Sequence, residues 1–259
     1  MLVETDAVIL SKLLELLSMP AVYRTIIPRF KRSVESHGVS GTLILFGIAP
    51  VRLWREYRNA KRYSSVRKPP DPFDLEHHIE TSQRVHATDL RVNSRNWMDG
   101  TNYEPVPVEL LREAIAALPI NPAEFTFIDF GSGKGRALFA ASEFPFARII
   151  GVEYAPELHE AACRNLQSYR GETQKCGRIE AICQDMTTFN FPEGPLVLFF
   201  YNPAFESVMR TMAAKITVLS QTCWVVYGNP RYKVFESLNK VRKTDTYVIY
   251  TSAAPSQSN

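Results

Sequence analysis

From Val106 onward, short apolar runs alternate with amphipathic stretches at helical spacing, and this alternation constrains the fold more than any other feature of the chain. Leu111, Ile115 and Leu118 mark a helix ahead of the run FTFIDF (125 to 130). A helix over 136 to 143 precedes RIIGVE (148 to 153), and one patterned on Leu158, Ala162 and Leu166 precedes RIEAIC (178 to 183). LVLFFY (196 to 201) follows, then a helix carrying Val208, Met212, Ile216 and Leu219, then CWVVY (223 to 227). Apolar strands separated by such helices predict an α/β, doubly wound, mostly parallel sheet covered on both faces. Sheets of this kind take ligands at the carboxyl ends of their strands. TYVIYT (246 to 251) is the one clear later strand, and the polar tail from Ser252 is expected to fray.

The 259 residues, 45% of them hydrophobic, suffice for one large domain with an extension. Residues 1 to 68 read as a helical basic N-terminal extension: Leu10, Leu13, Leu14 and Leu17 share one face, and Pro20 stops that helix. Residues 1 to 70 hold 12 Lys/Arg against 5 Asp/Glu. Arg52, Arg55, Arg58 and Arg62, with Trp54 and Tyr57 between them, form a solvated basic face or a contact for an anionic surface. RKPPDPFD (67 to 74) opens a linker and covering segment over 69 to 102, because its prolines do not continue a helix. The third unit spans 103 to 259. No apolar run approaches the roughly 20 residues that span a bilayer; GTLILFGIAPV (41 to 51) is shorter and reads as a buried helix. The acidic opening and the four cysteines (Cys163, Cys176, Cys183, Cys223), none in a CxxC pair, point to a reduced cytoplasmic chain without a zinc cage.

The first strand runs directly into DFGSGKGRA (129 to 137). Gly131, Gly133 and Gly135 let the backbone turn sharply and approach a ligand, and the helix that follows presents unpaired N–H groups. A P-loop needs GxxxxGK[ST], which is absent, and a dinucleotide fingerprint needs a third glycine where Arg136 stands. The form that remains, acid-x-Gly-x-Gly-x-Gly led by Asp129, resembles the first motif of the class I S-adenosylmethionine-dependent methyltransferases.

That resemblance covers about 103 to 251 and implies a Rossmann-like methyltransferase fold, often ending in an antiparallel hairpin. It implies S-adenosyl-L-methionine as methyl donor and S-adenosyl-L-homocysteine as product, held by Tyr103, Asp129, Gly131, Ser132, Gly133, Gly135, Glu153, Asp185 and Tyr201. Glu153 is then the acceptor for two ribose hydroxyls and Asp185 the acceptor for the adenine amino group. NYEPVP (102 to 107) resembles a Tyr-x-Pro element ahead of the first motif in some seven-strand methyltransferases, including protein lysine methyltransferases. NPAF (202 to 205) resembles the Asn-Pro-Pro-aromatic motif of amino-group methyltransferases, with Ala204 in place of the second proline. The resemblance casts Asn202 and Pro203 as acceptors that polarise an amine, and Phe205 as a platform for a planar target.

N-methylation of a protein side chain, a base or a small-molecule amine is the expectation. An O-methyltransferase of a small molecule, an NAD-linked oxidoreductase and a catalytically silent donor-binding scaffold are the alternatives. His77, His78 and His86 lack ligand spacing, so no metal is expected. Cys163 and Cys223 are expected to pack in the core. Lys134 and Arg136 are candidates to neutralise the donor's carboxylate.

Overall fold

The structure is a computed structural model and describes residues 71–85, 90 and 102–252. The N-terminal extension, its basic helix, the run 41 to 51, His86 and most of the C-terminal tail lie outside the described residues. No helix among the described residues is long and apolar enough to cross a membrane.

The elements are α1 (Pro72–His77), α2 (Val108–Ala116), β1 (Thr126–Phe130), α3 (Arg136–Ser142), β2 (Arg148–Glu153), α4 (Pro156–Ser168), β3 (Ile179–Cys183), β4 (Leu196–Tyr201), α5 (Glu206–Thr217), β5 (Cys223–Gly228), β6 (Asn239–Lys243) and β7 (Tyr247–Thr251). The seven strands form one sheet in the order β3-β2-β1-β4-β5-β7-β6. β1 to β5 pair in parallel, while β7 runs antiparallel to both β5 and β6. The order reverses between β1 and β4, which pair with Phe130 opposite Phe200. A crevice at the carboxyl ends of these two strands is where such a sheet binds ligands.

Successive residues of a strand face opposite ways, so each apolar run feeds two cores. Phe127, Ile149, Val197, Phe199, Val226 and Ile249 pack with Leu111, Ile115, Leu138 and Phe139. Ile128, Phe130, Ile150, Leu198, Phe200, Val225 and Tyr250 pack with Val208, Met212 and Ile216. Each fully buried Phe, Ile or Leu contributes roughly 1.5–3 kcal/mol, so burial on both faces stabilises the inner strands.

Two elements depart from the sequence reading. β6, NKVRK, is exposed along its whole length, so it has neither the continuous nor the alternating apolar pattern of a strand. Its Lys240, Arg242 and Lys243 suit an outermost strand, where charge blocks pairing with another chain. β6 and β7 complete the antiparallel end that the family resemblance implies. The second departure is α1, which starts inside the stretch read as linker. Pro72 occupies its first turn, where a missing N–H costs nothing, and the Asp71 carboxylate accepts the Phe73 N–H at 3.0 Å.

Candidate active site

The glycine loop between β1 and α3 is shaped by its own backbone bonds. Gly131, Gly133 and Gly135 have φ of +81°, +54° and +90°. The Gly131 and Ser132 N–H groups both donate to the Val152 carbonyl, at 2.8 and 3.2 Å, which draws the loop onto the end of β2. The Gly133 N–H donates to Glu153 Oε2 at 2.8 Å, and Glu153 Oε1 accepts the Ala155 N–H at 2.9 Å. Glu153 therefore bridges the loop and the entry to α4, buried at the carboxyl end of β2.

Two close approaches explain why side chains are excluded from this loop. A Cβ on Gly131 would lie 2.3 Å from Pro203 Cβ, and one on Gly133 would lie 2.2 Å from the Tyr103 ring. The first contact brings the NPAF corner against the glycine loop across the switch point. Asn202, at that corner, is buried and left-handed, with φ +50°, a conformation that asparagine adopts more readily than other non-glycine residues. A left-handed residue at the carboxyl end of a strand, packed beside a glycine loop, marks a candidate functional position.

The remaining expected site residues are placed as follows. Asp185 caps a 3-10 turn after β3, its Oδ1 accepting the Thr187 N–H at 2.8 Å and hydroxyl at 2.7 Å. The Tyr201 ring leans across β5, where a Cβ on Gly228 would lie 2.8 Å from it. Phe205 is half-buried at the start of α5. The Ser132 hydroxyl is turned inward, 2.8 Å from where a Gly151 Cβ would be, and is buried without a hydrogen-bond partner.

Lys134 and Arg136 are both buried, each with 6% exposure. Lys134 Nζ pairs with Glu80 at 2.8 Å, and the Arg136 guanidinium engages Asp71, Asp74 and Thr81. The expectation that they neutralise a donor carboxylate is corrected: burying such cations without partners is costly, and the covering segment supplies the partners. Tyr103 is buried too, and its hydroxyl donates to the Thr81 carbonyl at 2.6 Å.

No sequence signal pointed to Asp74, Glu80, Thr81 or Asn165, whose partners are far along the chain. Among the histidines, His77 is buried between Phe73 and Tyr169, and its Nδ1 lies 3.1 Å from the Arg170 carbonyl. Cys223 is buried, which pushes its thiol up to about 12. Cys163 is only half-buried, 3.5 Å from His159 Nε2.

Asp129 and Glu153 are both buried near the carboxyl ends of the neighbouring strands β1 and β2. Burial, reinforced by the Glu153 charge, raises Asp129 from 3.8 to about 8. Burial raises Glu153 from 4.5 to about 7, against the opposing pull of the backbone N–H groups it accepts. Between these values and the ordinary ones the folded chain holds protons that the unfolded chain has released. This stabilisation is full below about pH 4 and is lost as pH rises through 7 and 8. The wild-type melting temperature is therefore expected to fall from pH 5.5 to 8.5 more steeply than that of Asp129→Asn, by an amount on the order of a few kcal/mol in stability. Parallel melting profiles for the two proteins would count against the protonated pair.

No protein-family model matches the chain, and no curated protein matches it. Solved structures do. An RNA methyltransferase from Salinibacter ruber, solved with S-adenosyl-L-homocysteine, is 18% identical; the match covers 60% of this chain and 96% of that one, with a TM-score of 0.43. A predicted N6-adenine-specific DNA methylase from Listeria monocytogenes is 14% identical over 58% of this chain and 52% of that one, with a TM-score of 0.45. A SAM-dependent methyltransferase from Leishmania major is 16% identical over 56% and 70%, with a TM-score of 0.41. These likenesses are of chain architecture and assign no role to a residue. The strand order and the antiparallel last pair make the fold Rossmann-like, of the class I methyltransferase type.

Proposed function

We propose that this chain is an S-adenosyl-L-methionine-dependent methyltransferase acting on nitrogen, in a protein side chain, a base or a small-molecule amine. The observation that carries the reading is the contact of Pro203 with Gly131, which sets the left-handed Asn202 corner directly against the glycine loop. The residues fit the donor. The positive-φ glycines turn the backbone sharply at the carboxyl end of β1, and on this reading Glu153 and Asp185, at and just after the ends of successive strands, accept hydrogen bonds from the ribose hydroxyls and the adenine amino group. The donor, when bound, supplies an electrophilic methyl on a sulfonium that is already a good leaving group.

The chain's own task is then to orient the acceptor and free its lone pair. An amine such as lysine, near pKa 10.4 in water, has to lose a proton, and an amide or base amine has to be polarised. The Asn202 side-chain oxygen and the Pro203 carbonyl are the acceptors for those N–H groups, with Phe205 beside them for a planar target. The four cysteines of the described residues are free thiols, which agrees with a cytoplasmic enzyme. We also propose the basic stretch with Arg52, Arg55, Arg58 and Arg62 as a contact for an anionic surface.

Calorimetry separates this reading from its rivals. S-adenosyl-L-methionine and S-adenosyl-L-homocysteine are expected to bind and NAD is not; the reverse pattern would make the protein an oxidoreductase. Tritiated-methyl transfer into a fractionated cell extract then identifies the acceptor without presupposing it, and donor binding with no transfer to any fraction would favour a scaffold.

A further inference from the structure

We infer that residues 71–85 form a strap that Arg136 anchors and that, through Thr81, seats Tyr103 on the donor loop, so that Arg136 is a positioning residue for donor binding. The inference rests on the donor reading above.

All the nitrogens of the Arg136 guanidinium are engaged. Nη1 donates to Asp74 Oδ1 at 3.1 Å and Thr81 Oγ1 at 2.9 Å, Nη2 to Asp71 Oδ1 at 2.8 Å, and Nε to the Val106 carbonyl at 3.0 Å. Its Cζ lies 4.9 Å from the centre of the Phe73 ring. Asp74 in turn accepts the N–H groups of Thr81 and Ser82 at 2.8 and 2.7 Å and the Thr81 hydroxyl, folding the strap back from α1. Such a network is stable because every buried polar member is satisfied, and it holds one geometry.

That geometry is passed to the loop. The Thr81 carbonyl takes the Tyr103 hydroxyl at 2.6 Å, and Tyr103 exchanges backbone hydrogen bonds with Val85, at 2.9 and 3.3 Å. The Tyr103 ring lies on Gly133, whose N–H is held by Glu153. Gly133 is thus clamped between an aromatic ring fixed by the strap and a carboxylate fixed by β2. A second tether flanks the first. Glu80 pairs with Lys134, while Asn165 of α4 accepts the Glu80 N–H at 2.9 Å and donates to the carbonyls of Glu80 and Lys134, at 3.1 and 2.9 Å. The place where a dinucleotide fold has its third glycine is occupied here by the anchor of this strap.

The test uses the full chain and two substitutions, Tyr103→Phe, which removes one hydroxyl and keeps the ring, and Arg136→Lys, which keeps the charge and loses the fork. Amide hydrogen exchange of residues 131–135 is read without ligand, S-adenosyl-L-homocysteine affinity by calorimetry, and melting temperature as the global control. In Tyr103→Phe, exchange at 131–135 is expected to quicken about tenfold and the dissociation constant to rise about tenfold, as the loss of one buried hydrogen bond implies. Exchange in the sheet and the melting temperature should move far less. Arg136→Lys should loosen the same amides, and the double variant should fall short of the product of the single effects because both act through Thr81. Wild-type exchange and affinity in Tyr103→Phe, or losses in step with global melting, would overturn the strap. A wild-type chain that binds no S-adenosyl-L-homocysteine would sink the donor reading alone, and exchange at 131–135 would still decide the strap.

Discussion

Gly131→Ala is expected to melt well below the wild type and to lose measurable affinity for S-adenosyl-L-homocysteine. The backbone there has φ +81°, which costs an alanine about 1–2 kcal/mol. Its Cβ would also fall 2.3 Å from Pro203 Cβ and 3.1 Å from Pro203 Cα, so either the glycine loop or the NPAF corner has to move. Forcing an atom into packed surroundings costs a further 1–3 kcal/mol or so. The sum, about 2–5 kcal/mol, lowers the melting temperature by roughly 5–15 °C in a domain of this size. Gly194→Ala isolates the backbone component: φ there is +91°, yet nothing lies within 4 Å of the added carbon. That variant should lose about 1–2 kcal/mol of stability and keep donor affinity. If Gly131→Ala matched Gly194→Ala in both measurements, the contact between the two loops would have no energetic weight.

The same contact shows how much of the molecule could be read in the sequence. The inner strands were legible because both of their faces are buried, which writes a continuous apolar run; RIIGVE and LVLFFY coincide with β2 and β4. β6 was not, because an outermost strand with both faces in solvent has no reason to be apolar. The glycine loop and its acids were legible as a spacing. The side-chain directions around it were not, since they depend on partners remote in the chain: Arg136 and Asp74 are separated by 62 positions and Lys134 and Glu80 by 54. A cation beside a ligand loop reads as a ligand contact until its carboxylates are located. Asn202 and Pro203 were legible as residue types, but the left-handed turn and the packing on Gly131 follow only from the pairing of β1 with β4.

Asn202 also carries the prediction that bears most directly on chemistry. Asn202→Ala removes the side-chain acceptor while leaving an alanine in a left-handed conformation, so a loss of turnover could come from the lost amide or from a moved corner. Asn202→Gly separates these causes, because glycine adopts φ +50° without strain and removes the same amide. Both variants are expected to bind S-adenosyl-L-homocysteine at close to wild-type affinity, since the donor contacts proposed above lie on the loop, Glu153 and Asp185. Both should lose about 10²–10⁴-fold in methyl transfer to the acceptor found by tritium labelling, the range associated with a positioned proton acceptor. Asn202→Gly should melt no lower than Asn202→Ala. Full turnover in Asn202→Gly with low turnover in Asn202→Ala would show that the corner's shape matters and the amide does not, and the acceptor nitrogen would then be polarised by the Pro203 carbonyl alone.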